Sequence, residues 1–282
     1  MSARLVIQYI ARMVFVFAIL TACGGGGGSD INFNFKGNNW PWPWPSNADF
    51  FANKTFSQNV TVSDHLNLRL DAVNGEIEIT GQPGADRVTV TAEARVGSDT
   101  FIDAQAGLNQ LEISVTDEAN DIFVQTEQPK NSQGRQYIVD YTLTVPSDLT
   151  VNVNAVNGHV TVNDMDNSIF IVLVNGNMDF ENIYGDATAS VDNGSVTGTT
   201  ILPPDGEVMV STVNGDIDLS IPTSTSAELF GLVSNGTISW DNLDLLDVMQ
   251  TNKSLQGKLG DGAGLIDLST VNGNISLVGF NL

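Results

Sequence analysis

The sequence predicts an all-β protein, a single-stranded parallel β-solenoid (β-helix-like) with rungs of about 18–21 residues and an N-terminal half of longer, less regular strands. Three observations lead there. The dipeptide Asn-Gly stands at Asn157-Gly158, Asn175-Gly176, Asn193-Gly194, Asn214-Gly215 and Asn235-Gly236, at intervals of 18, 18, 21 and 21 residues. Asn272-Gly273 follows 37 residues later, close to two periods, and Asn74-Gly75 stands 83 residues upstream of Asn157, close to four. The third and fifth residues after each Asn are apolar and their neighbours mostly polar, as in Ile77 and Ile79, Val160 and Val162, Ile217 and Leu219, with Gly198 the one exception. That period of two marks a strand with one buried face. No stretch carries a sustained helical period, although Leu243–Met249 is compatible with one short helical turn.

The same dipeptide is the commonest two-residue hairpin signal, because Asn and Gly both tolerate positive φ. A hairpin reading gives an antiparallel sandwich or barrel. The near-identical flanks favour copies stacked in register, since one rung cannot close a core alone.

Counting back from Asn by alternation turns Ala155, Thr212 and Thr270 inward, and the Asn side chains with them. Stacked Asn amides can then bond one another along the axis, or Asn stands there for its backbone preference alone. The count leaves Val73, Val156, Val174, Val213 and Val271, each just before an Asn, as an outward apolar stripe suited to contact. A bend before the turn would instead bury these Val residues and expose Thr212 and Thr270.

Residues 1–22 read as a lipoprotein signal peptide: Arg4 and Arg12 supply the positive region and Met13–Leu20 an apolar run too short to span a bilayer. Leu20-Thr21-Ala22-Cys23 resembles the bacterial lipobox. That resemblance implies cleavage before Cys23, acylation of its sulfur with palmitate-type chains, and, with Gly24 following, an outer-membrane destination. Cys23 is the single cysteine, so no internal disulfide is available. Residues 23–47 form a tether, Gly-rich at Gly24–Gly28 and then Trp40-Pro41-Trp42-Pro43-Trp44-Pro45, which favours an extended polyproline conformation.

Residues 48–146 form an N-terminal β region, with strands expected at Leu66–Leu70, Arg87–Val96, Gln110–Val115, Ile122–Thr126 and Tyr137–Val145. They are either degenerate rungs or an antiparallel cap. Residues 147–282 are the Asn-Gly repeat region.

Tyr141-Thr142-Leu143-Thr144-Val145-Pro146, the repeated Val-Asn-Gly-x-Ile pattern, and Gly260-Asp261-Gly262 leading into Leu268–Leu277 resemble the bacterial "putative adhesin" family, a domain of unknown function with an expected β-solenoid. The resemblance covers about Phe56 to Leu277. It implies attachment at the cell surface and brings no catalytic residues.

The formal charge is −22, and loss of Arg4 and Arg12 with the leader takes it to −24. Such a surface repels nucleic acid and anionic headgroups. Expected partners are the membrane, through lipidated Cys23, and an envelope glycan or protein, or another copy of the chain. Asp164 with Asp166, Asp216 with Asp218, and Asp241, Asp244 and Asp247 offer oxygen ligands for calcium, but the residue after Asn-Gly changes from repeat to repeat, against an ion in every rung. No metal or cofactor is therefore expected. Glu76 with Glu78 and Asp216 with Asp218 lie about 7 Å apart on a strand face, a spacing exposed alternation produces everywhere, and His65 and His159 lack a partner motif. The expected function is a lipid-anchored, non-catalytic, adhesin-like binding or structural module of the bacterial envelope. The alternatives are an envelope sensor or binder of cations or cationic peptides and, further off, a polysaccharide-active enzyme on a β-helix.

Overall fold

A computed structural model describes residues 49–282; the leader, Cys23 and the Trp/Pro tether lie outside the described residues. The chain opens with β1 (Phe50–Thr61), β2 (Asn67–Asn74), β3 (Ile77–Gln82) and β4 (Arg87–Ser98), followed by a short helix α1 (Phe101–Leu108). Then come β5 (Glu112–Asp117), β6 (Asp121–Glu127) and β7 (Gln136–Pro146). The repeat region continues with β8 (Thr150–Asn157), β9 (Val160–Met165), β10 (Ile169–Asn175), β11 (Met178–Ile183), β12 (Ala187–Asn193), β13 (Val196–Thr200), β14 (Glu207–Asn214) and β15 (Ile217–Pro222). It ends with β16 (Ala227–Asn235), β17 (Ile238–Asp241), β18 (Leu246–Gln250), β19 (Ser254–Leu259), β20 (Gly264–Asn272) and β21 (Ile275–Phe280).

The Asn-Gly pairs are corners and not hairpins. Strands β8 and β9 flank Asn157-Gly158 but lie in different sheets: β8 pairs in parallel with β2 and β10, and β9 in parallel with β3 and β11. The protein is thus all-β with two mixed sheets, one of ten strands running from β1 to β17 and one of eleven running from β18 to β5. Parallel order does not extend throughout, which corrects the expectation of a single parallel solenoid. Strands β1, β4 and β7 pair antiparallel at one end, as do β5 with β6, and β16, β19 and β18 pair antiparallel at the other. The N-terminal region is neither rungs alone nor a cap alone: β2–β3 and β6–β7 lie parallel to the repeats, and β1, β4 and β5 are antiparallel additions.

Chain order and stacking order differ. Strands β2 and β3 sit directly on β8 and β9, so Asn74 neighbours Asn157 with no rung between. Strands β20 and β21 insert between the β14–β15 and β16–β17 layers, placing Asn272 between Asn214 and Asn235. The intervals of 83 and 37 residues are therefore excursions through added strands, and not multiples of the period.

Inward side chains of both sheets form one hydrophobic cluster, including Leu70, Val153, Ile171 and Val210 from one and Ile79, Val162, Phe180 and Leu219 from the other. Gly198 breaks the apolar rule because the Phe180 ring of the next layer occupies its space. A Cβ there would lie 2.1 Å from the ring, and Phe180 is itself buried. Near the N-terminal end the buried Tyr141 hydroxyl bonds Thr126 Oγ1 at 2.7 Å, and burial pushes its pKa up to about 12.

Two local expectations fail. Residues 246–250 are strand β18 and not a helical turn, since they pair with β19. Helix α1 went unforeseen; Thr100 caps it by accepting from Asp103 N at 3.2 Å. Arg135 grips Asp103 through two bonds of 2.7 and 2.9 Å. The Arg135 bonds, followed by that from the Ser98 hydroxyl, hold the Asp103 carboxyl at about 2. Its folded pKa is depressed, so this anchor is complete above the ordinary carboxylate range near about 4 and is lost as the pH falls through about 2.

The Gly198 arrangement makes a direct prediction. Gly198→Ala should cost about 1–3 kcal/mol in chemical denaturation, and distinctly less when combined with Phe180→Leu; equal costs in both backgrounds would show that the ring does not fill that space.

Candidate functional site

At each corner two sets of bonds run along the stack. The Asn side chains form a ladder: Nδ2 of Asn157 donates to Oδ1 of Asn74 at 2.6 Å, Asn175 to Asn157 at 2.8 Å and Asn193 to Asn175 at 2.9 Å. It continues with Asn214 to Asn193 at 2.7 Å, Asn272 to Asn214 at 2.8 Å and Asn235 to Asn272 at 2.8 Å. Asn74 ends it by donating to the Tyr137 carbonyl at 3.0 Å. Beside it the Gly amides bond the Asn carbonyls of the following layer, as Gly176 N to Asn193 O at 2.9 Å and Gly215 N to Asn272 O at 3.0 Å. The ladder lies at the surface, with Asn193, Asn214, Asn235 and Asn272 exposed, so the inward placement expected from alternation is corrected. Strand pairing skips the residue before each Asn, as between Leu173↔Val191 and Asn175↔Asn193, and the chain turns there.

Glycine is demanded by the layer above as much as by φ. A Cβ on Gly176 would lie 1.6 Å from the Gly158 carbonyl oxygen, and one on Gly158, Gly194, Gly215, Gly236 or Gly273 within 1.9 Å of the corresponding oxygen. Gly215 and Gly273 are not among the positive-φ glycines, so there the close approach alone excludes a side chain.

The varied residue after Asn-Gly has a shared task in four of the seven repeats. Its side chain accepts from the backbone N–H at the same place in the next layer: Asn177 from Ser195 at 3.1 Å, Ser195 from Asp216 at 3.1 Å, Asp216 from Asn274 at 2.6 Å and Asn274 from Thr237 at 3.0 Å. Variation among short acceptors concealed this role in the sequence. Asp216 is thus spent within the stack, as is Asp164, whose Oδ1 accepts from Asn182 at 2.9 Å and whose φ of 59° helps turn the opposite corner. Among the described residues no group of three or more His, Cys, Asp or Glu is placed to hold a metal ion. His65 is 5% exposed and bonds Asp117 at 2.7 Å, and His159 meets Asp179 at 3.0 Å. A depression of about 350 Å³ is open and lined by Asp205, Glu207 and Glu228 with glycines and no base.

The Val residues before Asn are half-buried while Thr212 and Thr270 are 4% and 2% exposed, so alternation holds as far as the Val row and the bend that would bury that row is excluded. Thr212 Oγ1 bonds Thr270 Oγ1 at 2.8 Å and the Gly215 carbonyl at 2.9 Å, which satisfies these buried hydroxyls. Asp192 interrupts the Val row, and burial raises its pKa.

The outer face of the ten-stranded sheet carries a register-aligned row: Glu78, Thr161, Asp179, Thr197, Asp218, Ser276 and Ser239. Its acids occupy alternate layers, about 9.6 Å apart instead of about 4.8 Å, which moderates their repulsion. No Lys or Arg occurs between Arg135 and Lys253, whereas fifteen acids stand from Asp148 to Asp247. The sequence holds that signal openly, but the total charge hides its concentration in the central layers. The outer face of the other sheet is more apolar, with Phe170, Val172 and Met209 among hydroxyl residues.

No protein-family model and no curated protein matches the chain. Solved structures that align with it include a "putative cell adhesion protein" from Clostridium sporogenes, at 8% identity and TM-score 0.42, covering 80% of this chain and 100% of that one. A "putative adhesin" from Bacteroides fragilis aligns at 14% identity and TM-score 0.31, over 80% and 97% of the two chains. A "putative lipid binding protein" from Parabacteroides distasonis aligns at 9% identity and TM-score 0.31, over 79% and 96%.

The corner geometry predicts that Gly176→Ala, although only one methyl larger, lowers the unfolding free energy by more than about 3 kcal/mol. Thr197→Lys, exposed between Asp179 and Asp218, should shift it by less than about 0.5 kcal/mol. Denaturant titration of both reads the contrast directly.

Proposed function

We propose that this chain is a lipid-anchored, non-catalytic binding module of the bacterial envelope, adhesin-like in use, whose parallel layers serve as a β-solenoid scaffold presenting extended faces. The observation that carries this reading is the division of labour in the stack. Corner amides, acids and hydroxyls bond one another between the rungs, while two long, open faces remain for contact. A face of repeated side chains at fixed spacing suits a partner that is itself extended, such as an envelope glycan, a protein strand or another copy docking on Val73, Val156, Val174, Val213 and Val271. Anchorage rests on the lipobox Leu20-Thr21-Ala22-Cys23 and outer-membrane placement on Gly24.

A second reading, capture of cationic peptides, is favoured by the base-free run between Arg135 and Lys253. The acidic row of the ten-stranded sheet would then attract them at long range and weaken as salt shortens the Debye length.

In whole cells, Cys23→Ser should leave the protein unprocessed or release it to the soluble fraction, and protease shaving of intact cells should degrade the wild-type chain. A membrane-bound Cys23→Ser protein with its leader removed contradicts the anchor; protection from shaving moves the module to the periplasmic side. For self-association, Val213→Lys should abolish it and keep the melting temperature, because Val213 is half-buried on the outer side.

A further inference from the structure

The β1 end of the molecule carries a group of exposed apolar side chains. Phe50 and Phe51 are 47% and 52% exposed, and Phe101 and Ile102 are 54% and 84% exposed. Their backbone positions neighbour one another at one end of the sheet: Phe50 and Phe51 pair with Ser98 and Gly97 of β4, and α1 starts just beyond at Phe101. The helix turns Ala104, Gly107 and Leu108 to the body of the protein and leaves Phe101 and Ile102 outside. It is held rigidly, by the two Arg135 bonds to Asp103 and by Ser98, while Lys54 donates to the Leu108 and Leu111 carbonyls just beyond its end.

This corner also receives the chain that precedes the described structure, which begins at Asp49 beside Phe50, 26 residues after Cys23. A tether of that length reaches up to about 90 Å when extended, so an acyl anchor alone would not settle how the body stands. We propose that Phe50, Phe51, Phe101 and Ile102 rest in the interfacial zone of the bilayer that holds the acylated Cys23. Aromatic and branched aliphatic side chains partition to that depth, and the nearby acids Asp49 and Asp99 suit zwitterionic headgroups better than anionic ones. The stack then stands with β1 toward the membrane and β17 and β18 away from it, presenting its two faces sideways. The inference rests on the lipid-anchored reading.

Because Cys23 is the only cysteine and its sulfur is acylated in that reading, an added cysteine is the single free thiol. The full-length protein, reconstituted in phosphatidylethanolamine vesicles, would carry a polarity-sensitive fluorophore at Ile102→Cys or, on β17, at Ser239→Cys. The expected result is a blue shift at 102 with quenching by nitroxide-labelled lipid, and neither at 239. A label at 102 that stays in water while mass spectrometry shows acylated Cys23 overturns the docking and leaves the anchor standing. A blue shift without lipid quenching, accompanied by crosslinked dimers, assigns the patch to a second copy and also overturns it. Unacylated protein in the supernatant removes the anchor and the docking together.

Discussion

The structure depends on one close approach, the carbonyl oxygen of a corner glycine standing where a Cβ on the next layer's glycine would be. Only glycine permits that approach, and it brings the Gly amide within 2.9–3.0 Å of the Asn carbonyl of the following layer. The same spacing puts each Asn amide in reach of its neighbour, so a side-chain ladder runs beside the backbone one. A surface hydrogen bond of this kind contributes on the order of 1 kcal/mol, but the array fixes register. A slip of one residue would remove every ladder bond and turn the core residues outward.

Register then explains how strands distant in sequence join the stack. Strands β20 and β21 enter between earlier layers because Asn272 and Gly273 present the same corner as Asn214 and Asn235. Strands β2 and β3 join β8 and β9 on the same terms. Antiparallel strands close what the parallel layers leave open: β19 and β18 continue from β16, and β4 and β1 continue from β7. Exposed edges remain at β1, β5, β17 and β18. On β18 the register shifts between Leu246 and Met249, and Asp247 at φ 50° disrupts a regular edge that would invite pairing.

The corners, the inward set and most N-terminal strands were legible because each has a local signature: a dipeptide, an alternation, a Gly or Pro boundary. Stacking order was not, since residue spacing counts chain length and is blind to which neighbour a layer meets; Asn272 is the clearest case. Helix α1 escaped because its apolar residues divide between two sides, Phe101 and Ile102 outward and Leu108 inward. Gly198 looked like a lapse in the pattern and is a fitted space for Phe180, a relation between layers that no single repeat contains. For the candidate site, the sequence located Asn and Gly correctly and misjudged their direction, because alternation fails where the chain turns a corner. Asp164 and Asp216, which the sequence offered as candidate calcium ligands before the changing repeats argued against them, are used by neighbouring layers.

Residue-resolved amide hydrogen exchange reads whether the Asn-Gly pairs are stacked corners whose amides bond the next layer. Exchange should be slow at Gly158, Gly176, Gly194, Gly215 and Gly273, comparable to core strand amides, despite their place at the surface. Exchange at Gly176 and Gly194 as fast as at the loop residue Gly134 would mean that these amides have no partner, and would contradict the stack.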